Sequence, residues 1–253
     1  MSEILRVDRV SFSYPGRAVV RDCSLSLSSG EIVALMGPSG CGKSTLLRLL
    51  GGLETPSSGS VVPDPALLSR GSGLGYLFQD HDAFPWLTVE NNLREGSGMP
   101  PLPAHGEVLR LLAQLGLEGS AKLYPPQLSG GMKKRLGLGR VLVRRPRLLL
   151  LDEPFASLDL ATRVEIYGLL HDFVRELKCA VLLVTHDLAE AAVLADRILT
   201  NSGPVLTLEG PGHTVPRQEG RPRGIGVLRE PAIMALVQDL ESALLGSRTA
   251  QRS

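Results

Sequence analysis

Gly37-Pro38-Ser39-Gly40-Cys41-Gly42-Lys43-Ser44 places three glycines, a lysine and two hydroxyls in one short run. Glycines at these intervals let successive backbone N–H groups turn inward and approach phosphate oxygens closely. The lysine and hydroxyl at its end add a cation and a metal ligand. The chemistry this predicts is capture of a nucleotide's phosphate chain. Lys43 reaches the β- and γ-phosphates, Ser44 ligates Mg²⁺, and Thr45 follows in the first turn of a helix whose positive end faces the anion.

Three further sets of residues could act on a phosphate held there. Asp152-Glu153 ends the apolar run 148–151 in paired carboxylates. Asp152 is placed to hold the Mg²⁺ water shell, and Glu153, on the opposite face, to polarise an attacking water as general base. Without the phosphate loop, the pair would read as solvated acids at a strand end. His186 ends a second apolar run, 181–185, where it can contact a γ-phosphate. A lone strand-end histidine is more often structural, but one that follows the next strand after Asp152 favours the catalytic role. Finally, Leu128-Ser129-Gly130-Gly131-Met132 opens a helix with a hydroxyl and two glycines, a second surface able to bind an anion. In isolation it could equally be a plain helix cap.

These residues need a frame to position them. Residues 4–10 alternate loosely, and Cys23, Leu25 and Leu27 alternate with serines, both as half-buried strands do. Runs 32–36, 148–151 and 180–185 are continuously apolar, which suits strands buried on both faces of a parallel sheet. Residues 161–178 carry Val164, Tyr167, Leu170, Val174 and Leu177 at helical spacing, so strand, helix and strand make a βαβ unit. From about Asp80 to Arg145 no strand stands out. Two helices are expected there, one over 105–115 and one from Ser129 to about Val143. The tail beyond Gly203 is rich in Gly, Pro and Arg and ends in a modest helix around 232–245. The expected division is 1–79 with 146–253 as a nucleotide-binding core, and 80–145 as a helical insert.

Composition narrows the function. A net charge of +1 over 253 residues supplies no field to recruit nucleic acid or anionic lipid. Cys23, Cys41 and Cys179 form no CxxC pair and suit a reducing compartment. The N-terminus lacks the apolar core of a signal peptide, and no apolar run approaches membrane-spanning length. A membrane role would therefore come through a partner.

The order of these motifs resembles that of ABC ATPases, and the resemblance covers nearly the whole chain. Ser129–Met132 matches the family's signature motif, lying ahead of the acidic strand as the family places it. The resemblance implies further roles. Tyr14 stacks on adenine, Gln79 touches Mg²⁺ and the attacking water, Ser157-Leu158-Asp159 forms the D-loop, and His186 is the switch histidine. It implies an α/β P-loop (RecA-like) core with an N-terminal antiparallel β subdomain and an inserted helical subdomain. It also implies that ATP is sandwiched between residues 37–44 of one subunit and 129–132 of another, so the chain pairs with a second copy. The stretch Phe84-Pro85-Trp86-Leu87-Thr88-Val89-Glu90-Asn91-Asn92 resembles the nitrate, sulfonate and taurine importer group, as does Met132 where most relatives carry Gln. These imply a membrane permease contacting residues 79–86, a substrate-binding protein acting indirectly, and a peripheral place on the cytoplasmic side of the inner membrane. Local packing of Trp86 against the insert is the alternative for that stretch. An ABC ATPase working on nucleic acid or ribosomes is the alternative function, disfavoured by the single motif set and near-neutral charge. Lys133-Lys134 and Gly139 depart from the pattern; Gly139 costs its helix about 1 kcal/mol relative to Ala.

Overall fold

A computed structural model describes residues 2–68, 73–78, 83–95, 102–156, 158–208, 210–216 and 224–250. Two long strands open the chain, β1 (Glu3–Tyr14) and β2 (Arg17–Ser28), followed by β3 (Ile32–Met36) and α1 (Lys43–Leu50). Then come β4 (Ser58–Pro63), the short α2 (Pro65–Leu68) and β5 (Leu74–Leu77). Helices α3 (Val89–Glu95), α4 (His105–Gln114) and α5 (Gly130–Leu142) precede β6 (Leu148–Asp152), α6 (Leu160–Leu177), β7 (Ala180–Val184) and α7 (Leu188–Leu194). β8 (Arg197–Thr200), β9 (His213–Thr214) and α8 (Pro231–Ala250) complete the described elements.

Two sheets result. An antiparallel sheet of order β2-β1-β4 carries the alternating sequences, with Cys23, Leu25 and Leu27 buried and the intervening serines half-buried. The second sheet has order β5-β6-β7-β3-β8-β9, parallel except for β9. Every residue of β3, β6 and β7 is buried, as their unbroken apolar runs require. The α/β class, the β subdomain and the helices inserted between β5 and β6 are those the sequence leads one to expect.

Some elements, such as β4, β5 and α3, have no clear signal in the sequence, and α8, which the sequence does predict, is longer than expected. β4 reads SGSVVP, and as a sheet-edge strand it keeps Val62 exposed. β5 is four residues long and contains a glycine. α3 lies within the expected insert but is only two turns long. α8 runs to Ala250, past the expected end, and buries Ile233 and Leu240 in the core that also takes up α7. Such short or edge segments are defined by their tertiary partners rather than by periodicity.

The insert explains an odd residue. A Cβ on Gly139 would lie 2.4 Å from Leu115 Cδ1 and 2.9 Å from Leu93 Cδ2, both side chains fully buried. The glycine lets α5 approach α3 and the end of α4 closely, so its helix penalty is offset by packing.

Candidate nucleotide site and its relatives

The topology brings the chemistry together. β6, β7 and β3 are neighbours in the parallel sheet, and the acidic pair, His186 and the phosphate loop all follow the C-terminal ends of these strands. In open parallel sheets that edge is where ligands bind.

The phosphate loop is shaped by close contacts. Gly42 has φ 116, and a Cβ there would lie 2.5 Å from the Val19 carbonyl, so only glycine fits. Lys43 is buried and donates from Nζ to the carbonyls of Gly37 and Pro38, each at 2.8 Å. Two of its three N–H donors thus curl the lysine back over the loop, leaving one to turn outward. Ser39, Gly40, Gly42, Lys43, Ser44 and Thr45 line a cavity of about 500 Å³ together with Tyr14, Glu153 and His186. Cys41 is buried and does not line it; its Sγ packs beneath Gly37. Thr45 sits in the opening turn of α1.

The carboxylates differ in setting. Asp152 is buried and hydrogen-bonded to the Ser44 side chain. Burial raises its pKa from the ordinary carboxylate range, and the Ser44 bond and the Lys43 charge oppose that rise. Glu153 adopts φ 46, a left-handed conformation that a residue with a Cβ enters at a cost of about 1–3 kcal/mol. Its N–H is held by the Val184 carbonyl at 3.0 Å, and Oε2 lies 3.4 Å from His186 Nδ1. The kink turns Glu153 into the same cavity as Lys43 and His186.

Ser129 caps α5, its Oγ accepting from the Met132 N–H at 3.3 Å. Gly131 abuts α6: a Cβ there would meet Thr162 Cγ2 at 2.8 Å. Thr162 in turn donates to Asp159, whose carboxylate caps α6 and has its pKa lowered chiefly by the Thr162 N–H bond. Ser129, Gly130, Gly131, Met132 and Asp159 therefore form one surface where α5 and α6 begin. None of them lines the cavity around Lys43.

The ABC transporter family matches residues 20–156. The chain belongs to that family. It is 44% identical over 220 residues to an aliphatic sulfonates import ATP-binding protein of Pseudomonas aeruginosa, covering 84% of this chain and 85% of the relative. A protein of the same description from Cupriavidus necator is 42% identical over 85% of this chain and 72% of its own length. Among solved structures, a component of an ABC transporter complex from Clostridium perfringens aligns with a TM-score of 0.74 at 26% identity, covering 94% of this chain and 95% of the other. The chain is thus an ABC transporter ATPase subunit, similar over most of its length to import ATP-binding proteins described for aliphatic sulfonates.

Other parts of this ABC ATPase were harder to read from sequence. Gln79 and Ser157 lie outside the described residues. Trp86 is 70% exposed, which turns it away from the core-packing alternative. It stacks on Phe84 at 5.2 Å, and the Arg140 guanidinium covers the Phe84 ring at 4.1 Å. Asn92, fully buried, fixes this turn: Oδ1 accepts from the Phe84 N–H at 2.7 Å and Nδ2 donates to the carbonyls of Phe84, Leu87 and Thr88. A polar residue on the buried face of a short helix was its only signal. Arg17 also lines the nucleotide cavity and donates to the Gly40 carbonyl at 3.0 Å. Buried Asn201 closes the back of the phosphate loop, its carbonyl 2.9 Å from where a Gly37 Cβ would sit. Among the described residues, no helix is long and apolar enough to cross a membrane.

Proposed function

We propose that the chain binds Mg²⁺-ATP between two copies of itself and couples its hydrolysis to uptake of aliphatic sulfonates through a membrane permease. The observation that carries the pairing is that the Lys43 cavity excludes residues 129–132, which begin a separate anion-binding helix start. Each ATP would then need Lys43 of one copy and Ser129 of the other. The same reading assigns residues 80–145 to the subdomain that carries the second half of the site, and 1–79 with 146–253 to the core.

The donors suit Mg²⁺. The Ser44 hydroxyl and one buried carboxylate, Asp152, are hard oxygen ligands, and among the described residues no cluster of three His, Cys, Asp or Glu side chains forms a metal cage. That fits an ion held by one or two protein oxygens and phosphates, with Gln79 as a further ligand. When bound, the ion would neutralise charge on the β- and γ-phosphates. Tyr14 would stack on the base and Lys43 would hold the terminal phosphates. Glu153 would orient the attacking water and take its proton, while His186, 3.4 Å away, steadies both the carboxylate and the γ-phosphate.

The turn that exposes Pro85 and Trp86 over a half-buried Phe84, fixed by Asn92, is the surface proposed to meet the permease on the cytoplasmic side of the membrane. A substrate-binding protein would act on the far side. Aliphatic sulfonates, a class that includes taurine, are favoured over nitrate because the relatives at 42–46% identity carry that description. The deciding experiment deletes the gene in its host and supplies ethanesulfonate, taurine or sulfate as sole sulfur source. Loss of growth on ethanesulfonate with growth on sulfate retained is expected, the taurine culture showing how far the class extends; unchanged growth on ethanesulfonate would refute the substrate.

A further inference from the structure

Behind His186, five side chains form one polar cluster that the sequence motifs do not include. Arg163, near the start of α6, donates from Nε to the Leu158 carbonyl at 3.0 Å and from Nη1 to Asp187 Oδ2 at 2.7 Å. Asp187 caps α7, accepting on Oδ1 from the N–H groups of Ala189 and Glu190. Its own N–H is bonded to Thr185 Oγ1 at 3.0 Å. Tyr167, four residues on from Arg163 and so on the same helix face, donates to Oε2 of buried Glu190 at 3.3 Å. Its ring meets Phe155 edge-on at 5.2 Å.

The cluster reaches three of the segments that carry hydrolytic or interface residues. Phe155 lies two residues past Glu153, Leu158 precedes Asp159, and Thr185 and Asp187 flank His186 on either side. Arg163, Asp187 and Glu190 also line a cavity of about 170 Å³ shared with Glu153 and His186. The Arg163–Asp187 pair is about two-thirds shielded from solvent, so it is screened far less than a surface pair. A guanidinium is suited to the task, because its rigid fork can serve a carbonyl and a carboxylate at once.

We infer that Arg163 is a positioning residue for hydrolysis: with Tyr167 it locks the His186 loop to the segments following Glu153, and so sets the His186–Glu153 separation. The inference rests on the reading that Glu153 and His186 act on ATP, and its contacts are made in each chain separately.

Steady-state ATPase assays on the full chain test it, with ATP affinity and thermal unfolding measured on the same samples. Arg163→Ala is expected to lower kcat about tenfold or more, with KM for ATP within about twofold because Lys43 and Tyr14 are untouched. Arg163→Lys should recover only part of the loss, since an ammonium lacks the fork. Adding Arg163→Ala to His186→Ala should cost little more than His186→Ala alone. An unchanged kcat, a loss confined to KM, or full additivity with His186→Ala would overturn the inference. Should Arg163→Ala unfold, Tyr167→Phe decides: it keeps the ring on Phe155 and removes the hydroxyl, so a parental kcat overturns the clamp. Failure of the underlying site reading is seen separately, as Glu153→Gln hydrolysing ATP at the parental rate.

Discussion

Nδ1 of His186 lies 3.4 Å from Oε2 of Glu153, across the ends of the adjacent strands β7 and β6. Glu153 is only about one-fifth exposed, and its backbone is kinked at φ 46 to reach this position. A strained residue anchored by a neighbouring strand's carbonyl is a common arrangement where chemistry depends on placement. With the general-base role, Glu153→Gln keeps the shape and removes the proton acceptor. We expect ATP hydrolysis to fall about 100-fold or more, while ATP is retained and a stable dimer accumulates. Phosphate release and light scattering with ATP present check this; parental turnover would remove Glu153 from the role.

Lys43 holds the Gly37 and Pro38 carbonyls while facing the cavity. Lys43→Ala should weaken ATP binding by more than about tenfold, since both the charge and the loop's internal clamp are lost. Titration with a fluorescent ATP analogue measures it, and retained affinity would contradict the phosphate-loop reading.

The Trp86 turn separates transmission from hydrolysis. Trp86→Ala should leave ATP binding unchanged and weaken association with the permease, because a large exposed aromatic is a typical interface anchor. Asn92→Ala should instead lower stability by about 1–3 kcal/mol, leaving the Phe84 N–H and nearby carbonyls without their buried partner. Pull-down of the permease and chemical denaturation distinguish the two effects. An intact complex with Trp86→Ala would assign the turn to another purpose.

Glu190 makes stability depend on pH. Burial pushes its carboxyl up to about 7 from 4.5, helped by the Asp187 charge and opposed by bonds from Thr185 and Tyr167. Its Oε1 has no hydrogen-bond partner among the described residues, which also favours the neutral acid. Between these values the folded chain holds a proton that the unfolded chain releases, so stability falls as pH rises through that window. Glu190→Gln should flatten the fall in Tm between about pH 5 and about pH 8. Buried Asp152, whose pKa is also raised, leaves some slope behind. An identical Tm profile for the variant would show that Glu190 titrates normally.

Gly139 sets helix propensity against packing. Alanine would gain about 1 kcal/mol in the helix, but its Cβ would press on Leu115 and Leu93, both fully buried. Overpacking of that kind costs about 1–3 kcal/mol, so Gly139→Ala should be neutral to destabilising. A clear gain in stability by urea denaturation would mean that the leucines yield freely.

Much of the site was legible along the chain because its parts are local. The spacing of Gly37, Gly42, Lys43 and Ser44 defines a phosphate cradle wherever it folds, since backbone N–H groups of consecutive residues do the work. The carboxylates at the end of an apolar run and the Ser129 cap are local in the same way, as are the buried strands. Arg17, Asn92, Arg163 and Asn201 were not legible, because each acts on a segment whose proximity is set by other elements. Nor could the sequence reveal that β7 lies between β6 and β3, the arrangement that puts His186 beside both Glu153 and the phosphate loop. Residue chemistry is written locally, whereas strand order is a global outcome of packing, and here only the tertiary structure decided which local chemistries meet.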